Sequence, residues 1–160
     1  MPACPQGRAC LRDRNDGILP GMHEWALADS VIEATSAALG ERPPASLRSV
    51  IVVIGELQAI DREIFDFALK TLLEERPFAH AVYTLETEPA TFLCTSCGAE
   101  WGLRDTRGLT DEAREAIHFL PEVGHAFIRC PACGSPDYRV KNGRGVHIKS
   151  ISVDEGGAGV

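Results

Sequence analysis

No stretch of the 160-residue chain approaches the roughly 20 consecutive apolar residues a membrane helix needs, so no spanning helix is expected. An excess of basic charge is missing as well. The chain has 16 Lys and Arg against 23 Asp and Glu, a formal net charge of -7, which opposes a non-specific grip on nucleic-acid phosphates and suits metal cations or basic protein partners. The first 21 residues, MPACPQGRACLRDRNDGILPG, carry three arginines but lack the apolar centre of a secretory signal and hold no Arg-Arg pair. With no export signal in view, the expected compartment is the cytoplasm. The same 21 residues have no hydrophobic periodicity, so they read as an extension that is disordered or not translated.

At 44% hydrophobic, the remainder can bury one ordinary core plus a small module that needs help from a metal or a disulfide. From Met22 the pattern becomes regular. Leu27, Val31, Ala34 and Ala38, with Ile32, Thr35 and Leu39 beside them, recur at helical steps, and Gly40 and Pro43-Pro44 supply a stop, so a helix is expected over 24–39. Ser49 to Ile54 is a β-branched strand bounded by Gly55, with Glu56 ending it. Asp61 caps a second helix with an apolar stripe of Ile64, Phe65, Ala68, Leu69, Leu72 and Leu73. Residues 80–87 alternate as a strand does. In 143–154, Val146 and Ile148 fall on one face and Ile151 and Val153 on the other, which predicts a bulge near Lys149-Ser150. The resulting fold class is α+β: a small sheet covered by two helices, with a zinc-ribbon-like Cys4 domain inserted before the last strand. The expected division is 22–90 with 140–155 as an α/β domain, 91–139 as the insert, and 156–160 as a flexible tail.

Four of the six cysteines form the most specific signal in the chain, Cys94-Thr-Ser-Cys97-Gly98 and Cys130-Pro-Ala-Cys133-Gly134. Two intervening residues let both sulfurs of a pair turn onto one ion, and two such pairs make a closed tetrahedral zinc site. A saturated Cys4 site has no place for a reacting water, so its role is structural. The long interval between the pairs is expected to hold a short helical excursion over 111–117. Within 91–140, five Arg and no Lys face seven acids, which counts against a zinc-ribbon nucleic-acid module, the alternative reading of such a motif. A metal-dependent hydrolase finds no open metal position and no paired carboxylates beside a spare histidine.

Met22-His23-Glu24 raises a different chemistry. A free amine one residue before a histidine lets the amine, the deprotonated histidine amide and the imidazole close fused chelate rings, a nitrogen-rich field that favours Ni(II) or Cu(II). These residues open a series of blocks: Met22-His-Glu-Trp-Ala-Leu-Ala-Asp29, Val53-Ile-Gly-Glu-Leu-Gln58, Ile117-His-Phe-Leu-Pro-Glu-Val123 with His125-Ala-Phe127, the two cysteine pairs, and Gly143-Arg-Gly-Val146. Jointly and in this order they resemble the hydrogenase nickel-incorporation family HypA/HybF in its archaeal-like form. The resemblance implies a non-enzymatic nickel metallochaperone that carries Ni(II) as cargo and Zn(II) as a structural ion. Its implied partners are a HypB-type maturation GTPase and the [NiFe]-hydrogenase large subunit. By matching position, His23 becomes the main nickel ligand, assisted by the Met22 amine and by the backbone or carboxylate of Glu24, and His118 becomes a histidine that approaches nickel from the zinc domain. A histidine in an apolar run also serves as a hydrogen-bonded structural residue, and His80, His125 and His147 read as structural or surface residues. If Met22 is the working start, the intact mass of natively expressed protein corresponds to a chain beginning at Met22; a mass that includes residues 1–21 contradicts that start.

Overall fold

The structure, a computed structural model, describes residues 22–106, 109–110, 113, 116–117 and 123–154. Helix α1 runs Met22–Leu39 and buries Ala28, Val31, Ile32, Thr35 and Leu39. Ala34 and Ala38, expected in the stripe, are exposed. Alanine offers too little apolar surface to decide which way a helix faces, and the larger Val31 and Ile32 set the orientation. Thr35 tolerates full burial because its hydroxyl donates to the Val31 carbonyl at 2.8 Å. Helix α2, Arg62–Leu73, starts where Asp61 Oδ1 accepts from the backbone N–H groups of Glu63 at 3.0 Å and Ile64 at 3.1 Å, the cap that its sequence predicts.

Three strands form the main sheet: β1, Leu47–Gly55, lies between β2, Val82–Glu88, in parallel and β6, Val146–Val153, in antiparallel pairing. Val50, Val52 and Ile54 of β1 pack with Ile32, Phe65 and Leu69 of the two helices in one core. The expected bulge is present. Ile51 pairs with Ser150 and Val52 with Ile148, which leaves Lys149 as the extra residue. Ile148 and Ile151 both therefore reach the same core, as do Val146 and Val153. Lys149 instead extends to Glu86 Oε2 at 2.8 Å. The outer edge of β2 is shielded by Arg62, whose guanidinium donates to the Leu85 carbonyl and, at 3.2 Å, to Thr87 Oγ1. Among the described residues no helix is long and apolar enough to cross a membrane.

The chain leaves this sheet after β2 and comes back before β6. Between lies a second antiparallel sheet, order β4-β3-β5, with β3 at Thr91–Cys94, β4 at Glu100–Gly102 and β5 at Tyr138–Asn142. A short helix, α3, occupies Gly124–Phe127, and Ala113, Ala116 and Ile117 are helical, within or at the end of the predicted excursion. Among the described residues of this segment, Phe92, Trp101, Leu103, Ile117, Ile128 and Tyr138 gather in a second core, while Phe127 is exposed. Phe92, Trp101 and Tyr138 meet pairwise with ring centroids 5.2 to 5.8 Å apart.

The two chain crossings are clamped together at a neck. Gly55 N–H donates to the Gly145 carbonyl at 2.8 Å and Leu57 N–H to the Gly143 carbonyl at 3.0 Å. Two carboxylates add to this: Glu56 accepts from Ala90 N–H at 2.9 Å and Glu88 from Gly143 N–H at 2.7 Å. Gly143 has φ +84°, and a Cβ there would sit 2.4 Å from Ala90 Cα, whereas Gly145, at φ +80°, faces open space. Gly143→Ala is expected to lower stability by about 2–4 kcal/mol, the sum of left-handed backbone strain and steric overlap, against about 1–2 kcal/mol for Gly145→Ala. Denaturant unfolding of both variants measures the difference; equal losses would contradict the close approach at Gly143.

Candidate metal centre

Each cysteine pair is built by the same local turn. Cys94 ends β3, and the chain folds back so that Gly98 N–H donates to the Cys94 carbonyl at 3.0 Å; in the second pair Gly134 N–H donates to the Cys130 carbonyl at 2.8 Å. Gly98 and Gly134 have φ of 75° and 74°, the left-handed conformation that closes the turn and that glycine adopts without strain. The two turns are then stitched to one another. Ser96 and Ser135 hydroxyls lie 2.9 Å apart, and the backbone N–H and hydroxyl of Thr95 both donate to the Asp137 carbonyl at 3.0 Å.

The four sulfurs consequently converge, all within 4.8 Å of one another, with Cys94 to Cys133 and Cys97 to Cys130 each 3.7 Å apart. A zinc–sulfur bond of about 2.3 Å in a tetrahedron separates its sulfurs by about 3.8 Å, so the spacing fits zinc, and it is far too long for disulfides. The donor chemistry fits as well. Burial pulls the Cys94 thiol upward, but backbone N–H groups of Cys97 and Ser96 and the neighbouring thiols bring it down to about 7. Cys133 is favoured as thiolate by the Ser135 N–H, yet crowding by Cys97, burial and the other two thiols push it up to about 12. Such crowded thiolates repel one another until a cation compensates them. All four positions are sulfur, so the site is closed and structural. It is also the one group of three or more His, Cys, Asp or Glu among the described residues that converges on a point.

The nitrogen-donor candidates lie elsewhere. Met22 and His23 are the first two residues of α1, both exposed. Glu24, half-buried, accepts from the Asp61 N–H through Oε1 at 3.2 Å, which ties the first turn of α1 to the start of α2. His118 lies outside the described residues; Ile117 beside it is buried in the second core. His125 stacks on Tyr138 at 4.3 Å with Nδ1 2.9 Å from the Pro136 carbonyl oxygen, and His80 and His147 are exposed. Sequence reasoning missed the neck. Glu56 read as a strand terminator, but its carboxylate holds Ala90.

A family model described as "Hydrogenase/urease nickel incorporation, metallochaperone, hypA" matches residues 22–153. The chain is similar to the hydrogenase maturation factor HypA of Pyrococcus abyssi, 43% identical over 135 residues that cover 84% of this chain and 97% of the relative. With its counterpart from Methanothermobacter thermautotrophicus the identity is 31% over 134 residues, 84% of this chain and 98% of the relative. The solution structure of the Ni metallochaperone HypA from Helicobacter pylori superposes with a TM-score of 0.53 at 20% identity, covering 81% of this chain and 96% of that one, a likeness of fold. Replacing Cys97 with Ala is expected to reduce bound zinc from one ion per chain to a small fraction and to loosen the inserted sheet, since metal affinity here is folding free energy. Zinc analysis and amide exchange read the two effects; unchanged zinc content would exclude Cys97 as a ligand.

Proposed function

Since the chain belongs to the HypA family of nickel metallochaperones for hydrogenase maturation, we propose that it captures Ni(II) at the first turn of α1 and delivers it to the [NiFe]-hydrogenase large subunit, in concert with a HypB-type maturation GTPase. In this reading His23 is the main ligand, the Met22 amine and the His23 amide complete a nitrogen chelate, and Glu24 contributes its backbone or its carboxylate. His118 is the candidate ligand from the zinc-bearing insert.

The observation that carries the reading is the placement of Met22 and His23. They are exposed, they open α1, and they are not among the residues that converge in the cysteine cluster. The first turn of a helix is also where the intrahelical ladder leaves backbone N–H groups out, so an amide chelate there does not compete with helix formation. Exposure favours ligand exchange with an acceptor protein, as a carrier requires, while the closed sulfur site favours retention. The family match starts at residue 22, which supports Met22 as the residue that supplies the amine.

Protein beginning at Met22 is expected to bind one nickel per chain, and His23→Ala to lose it while zinc remains. Isothermal titration with nickel, paired with metal analysis, reads both. Full nickel affinity in the variant would remove His23 from the site.

A further inference from the structure

Leu57 follows β1 in the main sheet, yet its side chain is buried in the core of the insert. It is 4% exposed and packs in the cluster of Ala90, Phe92, Leu103, Ile117 and Ile128. The helical turn that carries it, Glu56–Gln58, is pinned at its first two residues, by Glu56 on Ala90 N–H and by Leu57 N–H on the Gly143 carbonyl. The chain then reverses at Ala59, whose φ of 45° makes it the one non-glycine with positive φ among the described residues. Two residues later comes Asp61, which caps α2 with its side chain and donates its N–H to Glu24. A run of five residues thus spans from the insert's core to the residue after His23. Where it meets the insert, a cavity of about 80 Å³ lies among Leu57, Ala59, Leu103, Leu109 and Ile117.

We propose that Leu57 is a positioning residue, a peg through which the placement of the cysteine-bearing insert is transmitted along Ala59 to Asp61 onto Glu24, setting nickel affinity at His23. This rests on His23 being the nickel ligand. A leucine inserted in the partner core resists sliding, and a left-handed alanine two residues on gives the loop little freedom to absorb a displacement before it reaches Asp61.

The test uses the zinc-loaded full chain carrying Leu57→Ala, with Leu57→Met as the volume-conserving control. Residual dipolar couplings of β1 and β3 amides, recorded without nickel, report whether the two sheets share one orientation; nickel titration reports affinity. Expected for Leu57→Ala are one zinc retained, divergent alignment of the two sheets, and nickel affinity lowered about 10-fold, within the range of inter-site coupling, with near-normal behaviour in Leu57→Met. Shared alignment in Leu57→Ala would overturn the peg, and divergent alignment with unchanged nickel affinity would overturn the coupling. If Leu57→Ala loses zinc, Leu57→Val carries the same readouts, with a smaller fall in nickel affinity expected and unchanged affinity contradicting the proposal. A His23→Ala chain that keeps its nickel would remove the site reading alone, because the alignment measurement contains no nickel.

Discussion

Gly143 passes against Ala90 with no room for a side chain, and the organisation of both sheets depends on that crossing. The insert begins and ends there, so its root must be narrow, and a narrow root with only two backbone passages would ordinarily swing freely. Carboxylates prevent this. Glu88 on the outgoing passage takes the Gly143 N–H of the returning one, and Glu56 at the end of β1 takes the Ala90 N–H of the outgoing one, charge-assisted bonds in a half-buried setting where they outweigh neutral ones. Leu57 adds an apolar anchor, buried in a core to which the strand before it does not belong.

The proposed function assigns two kinds of metal chemistry to one chain. Sulfur donors stand in a closed tetrahedral arrangement, stitched by backbone and hydroxyl hydrogen bonds that fix both cysteine turns. Such a site exchanges its ion reluctantly and serves to fold a segment too small to hold itself by apolar burial alone. The proposed nickel ligands are nitrogen and oxygen donors on an exposed helix start, open to attack by an acceptor's ligands. A carrier needs that asymmetry, because an ion held as firmly as structural zinc would not be handed on.

What the sequence made legible was local. Two matched cysteine pairs, the Asp61 cap and the bulge at Lys149 each follow from spacing over a few residues, and each appears where it is expected. The buried face of α1 departs from the expected stripe because Ala34 and Ala38 carry too little apolar area to outvote Val31 and Ile32. Contacts that join distant segments left no periodic trace. Nothing in Gly55-Glu56-Leu57 announces that the carboxylate holds Ala90 and the leucine enters another core, and nothing in Glu24 announces Asp61. The fit of the candidate zinc residues rests on convergence that spacing already implied, whereas the tie between α1 and α2 beside His23 required the fold.

Separation of nickel from the cysteines is the central claim, and X-ray absorption at the nickel edge tests it most directly on zinc-loaded protein beginning at Met22. The predicted spectrum has nitrogen and oxygen neighbours only, with imidazole scattering from His23. A sulfur neighbour would place nickel in the Cys94, Cys97, Cys130, Cys133 site and contradict the division between cargo and structural ion.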